Sequence, residues 1–529
     1  MYCASPRSFL EKSFAERDSK HNLMQKVKQH LSVWLFAGAA TLFVGLAYTA
    51  SDFFTAPTHA LTDRLILFSQ WLAILIGIFP VFYLLSINKY VFASIYPLVC
   101  VLSGVLTYFR YTTGTIFTTM IFDAALDNDH KITQELISVW LILTMIASLL
   151  AGVGFAVYRF RKLPVVPLPA LHVVLAVALT IVVFQLPRIG RPMTERIPMN
   201  LYFIPQRYFA EKKTARSYRE PLPGKVTAPV DKPLVVLILG ESLRADHLGL
   251  NGYARNTTPL LATESVVSFP NIYSPYTYTN PSIAHIMTRA DSLAPERADS
   301  ERSFVDLFKR CGFPTVWLGN QEPAKTYVYF MEECDRLIYG NINKSYYVFD
   351  HWTDELLLPP LDTVLPDMTD GGLVIMHTIG SHWYYNAHYT DEFRRFVPET
   401  KSRIVTANTS EEMINSYDNT VVFTDYFISC IINRLRNRKA LMIYLSDHGE
   451  ALGEDGLWLH ANTVDAAHNP ACIVWLSDAY REAKPGMYER LLQNRNKRYH
   501  TDFLFHTILD GAGIEADILQ NSQSLFASE

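Results

Sequence analysis

The sequence predicts a helical membrane domain followed by an open α/β domain, in which helices cover a largely parallel sheet. Three observations carry this. Five apolar stretches, each near the ~20 residues that cross a bilayer core, precede Pro187. From Leu234 onward, short β-branched runs alternate with helical patterns, as in parallel strands joined by crossover helices. Three of those runs end in possible metal ligands, at the place where open α/β sheets put their chemistry. Leu234 to Leu239 runs into Gly240-Glu241-Ser242, Leu373 to Met376 into His377 to His382, and Leu441 to Leu445 into Ser446-Asp447-His448-Gly449-Glu450.

A chain of 529 residues exceeds one ordinary core, so more than one domain is expected. Hydrophobic residues make up 49% and charged residues only 19%, an apolar excess that lies in the N-terminal third. A net charge of -4 argues against a nucleic-acid partner. Six cysteines without a CxxC pair give neither a metal-site spacing nor a disulfide framework. Cys100, Cys311, Cys334, Cys430 and Cys472 are expected as buried free thiols.

Residues 1–30 are polar and basic (Arg7, Lys12, Arg17, Lys20, Lys26, Lys28) and read as a cytoplasmic segment, unlike a cleavable signal peptide. The five spans are placed at about Leu31 to Ala50, Leu65 to Ile87, Tyr90 to Tyr108, Ile137 to Tyr158 and Pro169 to Leu186, forming a membrane domain over 31–187. Lys and Arg gather on the cytoplasmic side. The N-terminus, Asn88-Lys89 and Arg159 to Lys162 share one side, so the Thr112 to Gln134 loop and everything after Leu186 face outward. Residues 188–232 form a connector, whose Met199 to Phe209 mixes aromatics with Arg as an interfacial segment does. Pro221, Pro223, Gly224, Pro229 and Pro233 mark the start of the soluble domain, 233–529. Within it, Ile414, Tyr417, Val421, Ile428, Ile432 and Leu435 give Glu411 to Arg436 a helical apolar face.

A borderline cation such as zinc needs a few O and N ligands converging from rigid elements, and Glu241, Asp447 and His448 supply such a set. A hydroxyl at a helix N-terminus favours a phosphoryl group there. The stretch Ser274 to Ser282 offers several such hydroxyls before a helix expected to begin near Pro281. An ordinary N-cap would use the same residue type.

Gly240 to Arg244, Leu250 to Leu260, Gly380-Ser381-His382, Ser446 to Glu450 and Leu457 to His460 together resemble the bacterial phosphoethanolamine transferases that modify lipopolysaccharide. That resemblance implies an inner-membrane enzyme with five transmembrane helices and a periplasmic α/β/α sandwich of the alkaline phosphatase/sulfatase type. Carried over by motif, Glu241, Asp447 and His448 are zinc ligands, and Thr279 is the metal-bound nucleophile that becomes phosphorylated, with Thr277 its near competitor. His382 and His460 bind a second metal or assist proton transfer, and Asn320 and Lys325 hold substrate phosphate. Lipid A-modifying members carry cysteines flanking the nucleophile, where this chain has Pro275 and His285; a lipopolysaccharide-core sugar or another periplasmic glycan therefore stays open as acceptor.

The implied reaction moves phosphoethanolamine from phosphatidylethanolamine through Thr279 to a lipopolysaccharide acceptor. A glycerol-phosphate transferase of the lipoteichoic-acid type shares the layout and is the enzymatic rival. A catalytically inactive lipid-binding or scaffolding membrane protein is the rival of a different class. No Cys-x-Pro-x-Arg sequence occurs, which argues against sulfatase activity.

Overall fold

The computed structural model describes residues 28–54, 58, 61–113, 116–126, 138–163, 165–215, 218–324, 327–340, 342, 351–403 and 405–528. The chain divides between Tyr208 and Phe209 into two compact units, each taken by itself.

Among the described residues of the first unit, four helices are long and apolar enough to cross a membrane: α1 (Lys28–Phe54), α2 (Leu61–Ile87), α3 (Lys89–Thr112) and α4 (Val139–Lys162). The fifth expected span is a shorter apolar helix, α5 (Pro169–Gln185), of 17 residues. Proline starts it, and Pro187 follows its end. Large side chains such as Leu35, Leu46, Ile76, Leu98 and Leu150 point outward. An apolar exterior of this kind suits lipid rather than water. Inside, the buried Arg159 donates from Nε to the Ser86 carbonyl (2.8 Å) and from Nη2 to that of Ile87 (3.2 Å). These are carbonyls at the end of α2, which have no acceptor role left within the helix. The expected connector is folded, not extended. The Ile197 N–H donates to Asp52 Oδ2 (3.0 Å), and Thr49 Oγ1 donates to the Ile197 carbonyl (2.6 Å), tying this segment to the end of α1. A helix, Asn200–Ala215, occupies the expected interfacial stretch. The expected loop from Thr112 to Gln134 contains a helix, Thr119–Leu126, and its residues 127–134 lie outside the described residues.

The second unit is built on seven strands: β1 (Leu234–Gly240), β2 (Val266–Phe269), β3 (Thr315–Gly319), β4 (Arg336–Tyr339), β5 (Gly372–His377), β6 (Ala440–Ser446) and β7 (Cys472–Leu476). Their order is β2-β7-β6-β1-β5-β3-β4. Strand β7 runs antiparallel to both neighbours, and the remaining pairs are parallel. Along β1, Val235, Leu237 and Leu239 enter one core layer, while Leu234, Val236 and Ile238 enter the other. Burial on both faces is why the three central strands read as continuous apolar runs.

The long helix α6 (Ser410–Leu435) lies in the second core layer through Tyr417, Val421, Ile428, Ile432 and Leu435. Its start is a capping box: Thr409 Oγ1 accepts from Glu412 N–H (3.2 Å), and Glu412 Oε2 accepts from Thr409 N–H (2.8 Å). Its polar residues reach the 244–261 segment. Asp418 accepts from His247, Tyr253 and Arg255, and Asp425 accepts from the N–H groups of Leu260 and Leu261. The motif residues 250–260 therefore fasten this segment to α6.

Candidate active site

Strands β5, β1 and β6 lie side by side and end together. The first residue beyond β1 is Glu241, and the first two beyond β6 are Asp447 and His448. One ligand atom from each of these three buried residues lies within 4.8 Å of the others. Neighbouring parallel strands in register bring residues distant in sequence to one edge.

Each ligand is oriented by its own bonds. Asp447 Oδ1 accepts from the N–H groups of His448 (2.8 Å) and Ser242 (3.2 Å), which leaves Oδ2 turned to the cluster. His448 Nδ1 donates to the Gly449 carbonyl at 2.7 Å, which leaves Nε2 as the nitrogen turned to the cluster. That Nε2 lies 3.3 Å from Glu241 Oε1 and 3.4 Å from Asp447 Oδ2. Glu241 Oε1 accepts from Ser242 Oγ (2.8 Å), and Oε2 accepts from Thr279 Oγ1 (2.8 Å) and Gln321 Nε2 (3.0 Å).

Burying these ionisable groups together distorts their proton affinities. Burial alone would raise Glu241, but the His448 imidazole beside it outweighs burial and holds the carboxyl well below the usual range. Asp447, deeply buried and beside the Glu241 charge, is pushed up to about 7. His448 is driven up to about 10, because the Asp447 and Glu241 charges overcome its burial. The cluster thus draws positive charge to itself.

A metal fits the donors that are present. Asp447 Oδ2 and His448 Nε2 are buried without a hydrogen-bond partner, and so are Glu450 Oε2 and His460 Nδ1. Leaving such atoms unpaired costs about 1–3 kcal/mol each, whereas carboxylate oxygens and a neutral imidazole converging on one point suit zinc.

Thr279 opens the helix α7 (Thr279–Met287), two residues ahead of the expected start. Thr277, its near competitor, is held through its backbone. Its carbonyl accepts from the Ala461 N–H (2.7 Å), while it is Thr279 whose hydroxyl meets Glu241. The His382 and His460 rings lie 5.5 Å apart, and His460 lies 5.2 Å from His448. Leu459 and Ala461, on either side of His460, have φ of 67° and 60°, a costly conformation for non-glycine residues that fixes where the imidazole points. Burial lowers the proton affinity of His382; in His460 the nearby Glu450 carboxylate outweighs burial and raises it.

Asn320 corrects the sequence reading. Its Nδ2 donates to the Thr353 carbonyl (3.2 Å) and to Asp354 Oδ1 (2.8 Å), and its Oδ1 accepts from Trp352 Nε1 (3.0 Å). Both amide hydrogens are engaged within the fold, so none is left for a phosphate. Lys325 lies outside the described residues.

Three contributors were not foreseen. Gln321, beside Asn320, donates from Nε2 to Glu241 and to the Thr378 carbonyl (2.6 Å). Buried Asp354 accepts from the N–H groups of Ile379 (2.8 Å) and Gly380 (2.9 Å), shaping the turn before His382. In that turn Gly380 has a φ of +50°, and a Cβ there would lie 2.7 Å from the Glu241 carbonyl oxygen. Glu450 accepts from Tyr385 through Oε1 (2.9 Å) and faces His460 Nδ1 at 3.4 Å through Oε2.

Comparison with known proteins agrees with this arrangement. The Sulfatase family model matches residues 233–514. Phosphoethanolamine transferase EptA of Escherichia coli K12 is 32% identical over 312 residues, 56% of this chain and 56% of that protein, so the chain spans little over half of this relative. Phosphatidylethanolamine transferase Mcr-1 of Escherichia coli is 28% identical over 477 residues, 82% of this chain and 88% of that one. The solved integral membrane lipooligosaccharide phosphoethanolamine transferase A of Neisseria meningitidis shares the fold, with a TM-score of 0.53 at 24% identity over 93% of this chain and 98% of that one. With more than half of its length matched by that family and the ligand set at the ends of its central strands, the chain belongs to the sulfatase family, and its relatives are phosphoethanolamine transferases.

Proposed function

We propose that the protein transfers phosphoethanolamine from phosphatidylethanolamine to a lipopolysaccharide or related envelope-glycan acceptor, through a phosphorylated Thr279. The observation that carries this is the hydrogen bond from Thr279 Oγ1 to Glu241 Oε2, at a helix start and within a buried cluster suited to zinc. Glu241, Asp447, His448 and the Thr279 oxygen would hold the metal. A zinc ion there would lower the proton affinity of the hydroxyl and draw charge from the phosphoryl oxygens.

Glu241 orients the Thr279 hydroxyl and accepts its proton. The threonine oxygen then attacks phosphorus, the bond to the glycerol oxygen breaks, and diacylglycerol leaves, taking a proton from His382 or His460. In the second step the same histidine removes a proton from the acceptor, which attacks the phosphoethanolamine-threonine; the phosphorus–Thr279 bond breaks and the threonine oxygen takes back its proton from Glu241. Orientation at the start of α7 and exclusion of water among buried strand ends do much of the work.

The same reading assigns 31–187 to five transmembrane helices of the bacterial inner membrane, with α5 as the fifth, 188–232 to a connector and 233–529 to a periplasmic catalytic domain. Its support is the run of apolar helices and the basic Arg159 to Lys162 at the end of α4. Reporter fusions at Lys89 and at Glu529 should give opposite signals; equal signals would mean a miscounted span.

The chemical test is to incubate the protein with donor and no acceptor, then digest it and map the adduct by mass spectrometry. Phosphoethanolamine should appear on Thr279, and Thr279→Ala should lose both adduct and transfer. Absence of any adduct, together with full activity of Thr279→Ala, would sink the two-step scheme. Ethanolamine rather than glycerol on the threonine separates this reading from the glycerol-phosphate rival.

A further inference from the structure

Two helices of the membrane domain leave a slot between them. Ser32, Phe36 and Ala39 of α1 and Ala151, Gly154 and Tyr158 of α4 line an apolar groove of about 580 Å³. Small residues on facing helices normally let the backbones close up. Here a Cβ built on Gly154 would meet no atom within 4 Å. The Phe36 ring bridges the two helices, 6.1 Å from the rings of Phe155 and Tyr158. Ser32 Oγ is already engaged, donating to the Gln29 carbonyl (2.8 Å). An apolar slot on a lipid-facing exterior forfeits dispersion contacts if it stays empty and gives water nothing to bond, so a hydrocarbon chain suits it.

One end of the slot specifies the rest of the occupant. Phe36 meets Tyr158, and Phe43 meets Phe155 at 5.3 Å, so α1 and α4 run antiparallel and the start of α1 lies beside the end of α4. Side chains three or four positions apart share a helix face. Lys28 stands four positions before Ser32, and Arg161 and Lys162 stand three and four after Tyr158, so each apolar stripe runs into cations at the same end. All three are exposed and form no ion pair among the described residues, and the Tyr158 hydroxyl has no partner among them. Cations and a hydroxyl at the mouth of a hydrocarbon slot match a phosphodiester carried on acyl chains. Other occupants fit less well. Residues 1–27 are polar and basic, so charge opposes their entry, and a second copy would set two basic mouths against each other.

We infer that this groove binds one net-anionic phospholipid of the cytoplasmic leaflet, with an acyl chain in the slot and the phosphate among Lys28, Arg161 and Lys162. The leaflet rests on the topology proposed above; the binding does not. A zwitterionic lipid is held less well, because its ammonium group meets the same cations. The test is native mass spectrometry of the full-length protein from detergent, titrated with dioleoylphosphatidylglycerol or dioleoylphosphatidylethanolamine. Gly154→Leu fills the slot and keeps the charges, whereas Lys28→Gln/Arg161→Gln/Lys162→Gln keeps the slot and removes them. The binding that Gly154→Leu abolishes should favour phosphatidylglycerol by about tenfold, and the charge variant should bind both lipids alike there. Labelling of Thr279 by donor should be unchanged in both variants, which separates this groove from the donor site and shows that the chain is folded. Phosphatidylglycerol binding that Gly154→Leu leaves intact, or a preference that survives the charge variant, would overturn the assignment. If Gly154→Leu does not fold, the charge variant decides alone. Reversed reporter-fusion signals would strike the leaflet and leave the binding result standing.

Discussion

At the amino ends of the three central strands the backbone is closed: Leu234 donates its N–H to the Lys439 carbonyl (2.9 Å), Gly372 to that of Pro233 (3.3 Å) and Ala440 to Ser477 Oγ (3.0 Å). At the carboxyl ends of the same sheet, Asp447 Oδ2, His448 Nε2 and Glu450 Oε2 are buried and form no hydrogen bond, although His448 Nε2 lies 3.4 Å from Asp447 Oδ2 and His460 Nδ1 lies 3.4 Å from Glu450 Oε2. Both ends are packed against the same two core layers, so the difference does not come from packing. A fold keeps buried polar atoms unpaired only where something else completes them, and the contrast places that need at one edge.

The largest effect should follow from breaking the unpaired edge itself. Asp447→Ala or Glu241→Ala should lower phosphoethanolamine transfer by about a thousandfold or more, equivalent to roughly 4 kcal/mol of barrier, and should remove bound zinc measured by elemental analysis. Retention of both zinc and transfer would mean that the cluster is not the centre. Chelation sharpens the same contrast in stability. A ligand that binds only the folded state adds about 3–4 kcal/mol at a hundred to a thousand times its Kd. Removing metal from the wild-type protein should therefore lower its melting temperature by several degrees, while the Asp447→Ala protein should not respond.

How much of this edge could be seen beforehand depended on distance along the chain. The strands were legible because burial on both faces turns them into continuous runs of Val, Ile and Leu, and Glu241, Asp447 and His448 stood where those runs stop. Helix α6 was legible from the 3.6-residue spacing of Tyr417, Val421, Ile428 and Ile432. Gln321 was not singled out: just past the end of β3, adjacent side chains face opposite ways, so Asn320 turns to Asp354 while its neighbour meets Glu241. The Tyr385 to Glu450 bond joins residues 65 apart, and the Asp52 to Ile197 bond joins residues 145 apart; no local pattern reports such pairs. An apolar helix lies at the fifth expected span, but with prolines at both ends it is shorter than the four long ones before it.

Away from the edge, burial keeps titratable groups neutral, and pH exposes this. His506 is pushed down to about 4, chiefly by burial. An unfolded histidine binds its proton near 6.5, so between those values the unfolded state carries the extra proton. Stability contributed by the neutral ring is full above about pH 6.5 and is lost as pH falls toward 4, at no more than about 1.4 kcal/mol per pH unit. His506→Asn can keep the acceptor for the Gln520 N–H (3.2 Å) without titrating. Denaturant midpoints of the two proteins should converge as pH drops from 6.5 to 4; parallel curves would show that this ring does not set the acid limb.

The smallest effect should come from the closed end. Ser477 does two things there: its Oγ accepts from the Ala440 N–H, and it caps the helix Asp478–Ala483 by accepting from the Tyr480 N–H (3.1 Å). Ser477→Ala removes both bonds at a buried position, where loss of a cap costs about 1 kcal/mol. Nothing in these contacts reaches the Glu241, Asp447 and His448 cluster at the other end of the strands. A modest drop in melting temperature with unchanged zinc content and unchanged kcat is expected. If Ser477→Ala instead cost activity as heavily as Asp447→Ala, the two ends would be coupled through β6, and the division between a structural end and a reactive end would not hold.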